Sequence, residues 1–101
     1  MDFQNRVVVV TGGANGIGRA AARIFAEAGA RVAIFDIQAS AGEEAAAEIG
    51  ATGGEALFIE TDVTDTAAVR ASFAAVVGKW GRVDTLFSHA GTIIVKPLHE
   101  S

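Results

Sequence analysis

Residues 7–29 read VVVVTGGANGIGRAAARIFAEAG, and four glycines, Gly12, Gly13, Gly16 and Gly18, fall within seven positions of this stretch. A β-branched run precedes them and an alanine-rich segment of helical period follows. Glycine destabilises the interior of a strand or of a helix. Its concentration at the junction therefore marks a backbone path that other residues cannot follow. This single feature fixes a strand, a tight turn and a helix in that order.

The rest of the chain repeats the alternation. Residues 6–11 lack polar alternation, the pattern of a strand buried on both faces in a parallel sheet. From Gly16 to Gly29 the period becomes helical. Ile17, Ala21, Ile24 and Ala28 are expected on the apolar stripe, with Arg19, Arg23 and Glu27 off it. Gly29 stands where a helix stops. Residues 30–36 form a second strand. Ser40 and Glu43 have capping-box spacing and open a second helix, which GATGG ends. Residues 55–61 make a third strand. Asp65 caps a third helix with the stripe Val69, Phe73, Val76 and Trp80, closed by Gly81. Residues 82–91 are a fourth strand with a small-residue exit, and the tail from Thr92, with Pro97, shows no regular pattern.

The βαβαβαβ order predicts an α/β protein: a Rossmann-type doubly wound parallel sheet with strand order 3-2-1-4, three helices and right-handed crossovers. Four strands are too few to close a (β/α)₈ barrel. In a doubly wound sheet ligands bind beyond the carboxyl ends of the strands, at the switch point beside the first strand. The glycine loop sits there. A helix start offers unpaired N–H groups and partial positive charge to an anion such as a pyrophosphate. A tight left-handed turn alone would also use glycine, but it gives no reason for this position between strand one and helix one. The spacing is Gly12-x-x-x-Gly16-x-Gly18, distinct from G-x-G-x-x-G and from a phosphate-binding P-loop, which needs Gly-Lys-Ser/Thr. Asp36 ends strand two, where a carboxylate can accept hydrogen bonds from adenosine ribose hydroxyls. No cation at Ala14, Asn15, Ile37 or Gln38 favours a 2′-phosphate, so the cofactor read here is NAD.

Composition narrows the classes. The 101 residues carry a net charge of −4 with scattered Lys and Arg, which argues against nucleic acid as partner. There is no cysteine, hence no disulfide frame and no thiolate metal site. His89 and His99 are ten apart with no third ligand, so no metal site is expected. No signal-peptide pattern or membrane-length apolar run is seen, and a soluble, cytoplasmic protein is expected.

The pieces TGGANGIG (11–18), Asp36, TDVTD (61–65) and SHAG (88–91), in this order, resemble the short-chain dehydrogenase/reductase family over residues 6–91. The resemblance implies that Gly12, Gly16 and Gly18 shape the pyrophosphate loop, with Asn15 and Ile17 near the cofactor. It implies that Asp36, with Ile37 beside it, holds the adenosine ribose and that Asp62 and Val63 contact adenine. Ser88, Ala90 and Gly91 stand at the cofactor end of strand four. The family usually has Asn-Asn-Ala-Gly here, so Ser88 and His89 depart from it, and Ser88 has less reach than the asparagine that steadies the central sheet. His89 is read as structural or cofactor-lining. Adjacent strand residues face opposite ways, so Ser88 and His89 cannot pair as nucleophile and base.

The family's chemistry uses a serine and a Tyr-x-x-x-Lys motif, and this chain has no tyrosine. Both lie in the family's second half. The chain is therefore expected to be a single dinucleotide-binding unit, residues 1–101, forming the N-terminal part of a longer one-domain enzyme. It should contain no catalytic residue and have no activity alone. The full protein would be an NAD-dependent oxidoreductase acting on a small alcohol or carbonyl, as a dimer or tetramer. The competing readings are a non-catalytic nucleotide-binding module, a truncated inactive homologue, or a doubly wound protein for another nucleotide.

Overall fold

The computed structural model describes residues 3–88 and the backbone of residues 93–98. In chain order the elements are β1 (Val7–Thr11), α1 (Gly16–Glu27), β2 (Arg31–Asp36), α2 (Ala39–Ala51), β3 (Glu55–Glu60), α3 (Thr66–Trp80), β4 (Val83–Phe87) and β5 (Ile93–Leu98). The sheet order is β3-β2-β1-β4-β5, and β1 through β4 are mutually parallel. The predicted 3-2-1-4 order and the three helices are thus present.

The valine run explains the layering. Side chains on a strand alternate in direction. Val8 and Val10 join Ala22 and Phe25 of α1 and Ala45 and Ile49 of α2 in one core. Val7 and Val9 join Phe35, Val76 and Val83 in a second core, on which Phe73 and Trp80 of α3 pack. All four valines are fully buried. An unbroken apolar strand is what two helix-covered faces require. Each core contains an edge-to-face aromatic contact, Phe3–Phe25 at 5.0 Å and Phe35–Phe73 at 5.3 Å between ring centroids.

Three local expectations are corrected. The buried stripe of α1 is Gly18, Ala22 and Phe25, whereas Ile17 and Ile24 are exposed. The two stripes share one period and differ by one residue in phase. Gly18 decides the phase, because a β-carbon there would lie 2.1 Å from the Gly12 carbonyl oxygen. The α1 stripe is thus turned so that this glycine faces the loop.

Ser40 does not cap α2. The helix begins at Ala39 with Gln38 at the cap position and no side-chain cap bond. Here the phase is set by Gly42, whose missing β-carbon admits the Phe58 ring, with Ala45 and Ile49 on the same buried face. Asp65, by contrast, caps α3 as expected, its Oδ1 accepting from the N–H groups of Ala67 and Ala68 at 3.0 and 3.2 Å. Gly81 closes that helix with φ +82°.

The third correction concerns the tail. Residues 93–98, expected to be irregular, pair antiparallel with β4 as β5. The register passes from Val83↔Leu98 to Thr85↔Val95, so Lys96 and Pro97 together oppose Asp84. Proline lacks the N–H a regular ladder needs, and a bulge on an edge strand accommodates it.

Candidate functional site

At the carboxyl ends of β1, β2 and β3 lies a cleft of about 340 Å³. It is lined by Gly12 and Asn15 of the glycine loop, Asp36, Ile37 and Gln38 after β2, and Asp62, Val63 and Thr64 after β3. Three segments far apart in sequence meet there because the parallel register β1–β2–β3 brings their ends to one edge.

The glycine loop turns on backbone geometry. Gly12 and Gly16 have φ of +71° and +60°, where a side chain is strained. Gly16 would meet nothing within 4 Å if it carried a β-carbon, so the space in front of the α1 start is open. Gly18 is needed for close approach, and its neighbour is the loop's own backbone at Gly12 and Gly13. The first turn of α1 holds no acidic residue, and Asn15 at its cap makes no side-chain bond to the helix. The leading N–H groups of a helix have no intrahelical partners, and no nearby acid in that turn competes with an incoming anion. Asn15 Nδ2 instead donates to Gln38 Oε1 at 2.9 Å across the cleft rim.

Asp36 is buried at the end of β2, with 8% of its surface exposed. Its Oδ2 accepts from the Ala14 N–H at 3.1 Å and its Oδ1 from the Gln38 N–H at 3.0 Å. Each carboxylate oxygen can accept a second hydrogen bond, so the group has capacity for a hydroxyl donor while holding the loop. Asp62 is exposed, and its Oδ1 accepts from the Thr64 hydroxyl at 2.6 Å and the Thr64 N–H at 2.9 Å. These bonds hold its carboxyl below the usual aspartate range. Ile37, Val63 and Ile17 are apolar yet 63%, 49% and 76% exposed. Ile37 and Val63 line the cleft and would cover a flat apolar ligand face there.

Arg19, one residue past Gly18, is expected from its period only to lie off the apolar stripe of α1. Its Nη1 donates to the Ala14 carbonyl at 3.2 Å, its Nε to Glu48 Oε1 at 3.2 Å and its Nη2 to Glu44 Oε1 at 3.0 Å. Glu48 first and Glu44 second raise the guanidinium pKa above its usual value. Asp84, to which its sequence position assigns no role, is buried, its Oδ2 accepts from the Val7 N–H at 2.9 Å, and Arg82 Nη2 donates to its Oδ1. Within β3–α3, the Thr61 and Ser72 hydroxyls bond at 2.7 Å in the core. The sequence carried no spacing signal for these contacts, which join separate elements.

Ser88 directly follows β4 and is half-buried. His89, Ala90, Gly91 and His99 lie outside the described residues. Among the described residues no group of three or more His, Asp and Glu could hold a metal ion. No helix among them is long and apolar enough to cross a membrane.

A doubly wound parallel sheet with a glycine loop at its switch point defines a Rossmann-type α/β protein. Residues 6–101 match the family model described as short chain dehydrogenase, and the chain belongs to that family. It is 47% identical over 88 residues to 2,5-dichloro-2,5-cyclohexadiene-1,4-diol dehydrogenase LinX of Sphingobium indicum, a match covering 87% of this chain and 35% of the relative. It is 43% identical to cis-4-hydroxycyclohexanecarboxylate dehydrogenase of Sinomonas cyclohexanicum, covering 97% of this chain and 39% of that protein. The crystal structure of hydroxysteroid dehydrogenase from Escherichia coli superposes with a TM-score of 0.84 at 33% identity, over 86% of this chain and 37% of that one. The chain thus spans little more than a third of the length of these relatives.

Proposed function

We propose that this chain is the nicotinamide-nucleotide-binding part of an oxidoreductase that moves hydride between a nicotinamide and an alcohol or carbonyl carbon. The observation that carries the reading is the meeting of Asp36, the Gly12–Gly18 loop and Asp62–Val63 around one cleft. The glycines fit a pyrophosphate: Gly16 leaves open space before the helix start, and Gly18 allows the loop to fold against it. In this reading Gly12, Asn15, Gly16, Ile17 and Gly18 hold the pyrophosphate region. Asp36 and Ile37 hold the adenosine ribose, Asp62 and Val63 the adenine, and Ser88, Ala90 and Gly91 the nicotinamide end. The cofactor, when bound, supplies the hydride-transfer chemistry.

The reading further specifies NAD. Asp36 would face the 2′-phosphate of NADP, and among the described residues no Lys or Arg lines the cleft to offset that repulsion. The matched relatives are dehydrogenases named for a diol and a hydroxycarboxylate, which supports a small alcohol as substrate class. The proton-transferring tyrosine and its lysine would come from residues outside this sequence, in a cytoplasmic homo-oligomer.

Calorimetric titration of NAD and NADP into the full-length protein tests the reading. NAD is expected to bind and NADP to bind more weakly. Binding of neither would overturn it. A second reading, a nucleotide-binding module without catalysis, predicts NAD binding with no turnover on any alcohol.

A further inference from the structure

Ala14, at the centre of the glycine loop, is held through both of its backbone polar groups. Its N–H donates to Asp36 Oδ2 at 3.1 Å, and its carbonyl accepts from Arg19 Nη1 at 3.2 Å. Arg19 is itself gripped by α2. Its Nε and Nη2 face Glu48 Oε1 and Oε2 at 3.2 and 2.8 Å, and Nη2 also meets Glu44 Oε1 at 3.0 Å. A planar guanidinium that faces both oxygens of one carboxylate has a defined orientation, which a lone surface ion pair does not. The Arg19 side chain is only 21% exposed. Elsewhere Arg31 pairs with Glu55 between β2 and β3 at 3.3 Å, a single contact with no tie to the loop.

We infer that Arg19 is a positioning residue for the nucleotide loop: Glu44 and Glu48 of α2 aim its guanidinium at the Ala14 carbonyl, and with Asp36 on the other side this fixes the peptide planes around Ala14. The inference rests on the nucleotide-binding reading above and assigns to Arg19 no contact with the nucleotide. Its charge is met by two carboxylates, and its donors point into the α1–α2 junction and the loop backbone. Glu44 and Glu48 thereby acquire a role at a distance from the cleft, although neither lines it. Two opposed side-chain bonds on one residue would remove the loop's freedom to flatten, and a preorganised loop binds its ligand with a smaller ordering cost.

Direct phosphate binding by Arg19 would respond to loss of the glutamates with the opposite sign. If Arg19 contacted the nucleotide, the two glutamates would compete with the phosphates, and neutralising them would tighten binding. If Arg19 positions the loop, neutralising them loosens its aim and weakens binding.

The test uses the full-length protein and four variants: Arg19→Gln, Arg19→Lys, the double variant Glu44→Gln/Glu48→Gln, and Arg31→Gln as a control. NAD affinity is measured by calorimetry, and amide hydrogen exchange across residues 12–18 is measured without nucleotide. Arg19→Gln should weaken NAD binding about tenfold, the order expected for one hydrogen bond from a charged donor, and should speed exchange in the loop. The double glutamine variant should change both readouts in the same direction, less strongly. Arg19→Lys, which keeps charge without the fork, should recover only part of the affinity. Arg31→Gln should leave both readouts unchanged. Tighter NAD binding by the double variant, complete rescue by lysine, or unchanged loop exchange in Arg19→Gln would overturn the inference while leaving the nucleotide site intact. Failure of the unmutated protein to bind NAD would overturn the functional reading, and this inference with it. If Arg19→Gln does not fold, the double variant, altered at two exposed positions, still decides the sign.

Discussion

The Asp36 carboxylate at the end of β2 accepts a hydrogen bond from the Ala14 N–H, 3.1 Å away in the glycine loop. One side chain therefore joins the two segments expected to hold opposite ends of an adenosine diphosphate. A 2′-phosphate about 4 Å from this carboxylate would cost about 4 kcal/mol per unit charge at an effective dielectric near 20, before screening. NAD should bind at least tenfold more tightly than NADP. Asp36→Ala should narrow that preference, and it should also weaken NAD because the Ala14 N–H loses its acceptor. Titration of both nucleotides into both proteins checks this. Equal affinity of the unmutated protein for the two would refute it.

Gly18 and Gly78 are both helical glycines, and they should respond oppositely to alanine. A β-carbon at Gly18 meets the Gly12 carbonyl oxygen at 2.1 Å, and backbone cannot move aside cheaply. Gly18→Ala should destabilise the fold by about 1–3 kcal/mol and lower nucleotide affinity. At Gly78, exposed on α3, a β-carbon meets nothing within 4 Å. Gly78→Ala should stabilise by about 0.5–1 kcal/mol through helix propensity. Urea unfolding of the two variants reads the difference in sign.

Asp84 ties β4 to the start of β1 through the Val7 N–H. Asp84→Ala leaves that donor unpaired in the core, at a cost of about 1–3 kcal/mol. Asp84→Asn keeps an oxygen acceptor and should lose less. A denaturation series that ranks the asparagine variant below alanine would contradict this role.

Asp62 provides a pH signature. Thr64 donates to its Oδ1 by hydroxyl and by N–H, so the folded pKa lies below the unfolded value of about 3.9. A depressed carboxylate pKa means that the turn is stabilising above the unfolded value. That contribution fades as pH falls through the lower, folded value. A carboxyl NMR titration should place the Asp62 midpoint below 3.9, and Thr64→Ala should move it upward. No upward movement would show that the hydroxyl is not the cause.

A polypeptide limited to residues 1–101 should bind NAD weakly and turn over no alcohol. Proton delivery by a general acid contributes about 10²–10⁴-fold to such reactions, and the sequence contains no tyrosine to provide it. Assay against a broad alcohol panel, beside the full-length protein, tests this. Comparable turnover by the short polypeptide would refute it. β5 pairs antiparallel along β4, so the sheet edge on that side is β5 rather than β4.

The sequence alone determined the alternation of elements, the parallel sheet and the place of the glycine loop. These follow from local signals: an unbroken β-branched run, helical period, glycines where a chain reverses, and an aspartate cap at Asp65. Asp36 and Asp62 were legible because each ends or follows a strand whose partner order the alternation fixed. The tertiary structure decided matters of phase and of long range. Ile17 and Phe25 lie on two stripes of equal period, and only contact between Gly18 and the Gly12 backbone selects the one that faces inward. Asp84 and Val7 are 77 positions apart, and Arg19 and Glu48 are 29 apart. No periodicity encodes such pairs, because each exists only after separate elements have packed. Residues 93–98 pair with β4 for the same reason: an edge strand is specified by the unpaired N–H and C=O groups beside it, which no reading of its own residues reveals.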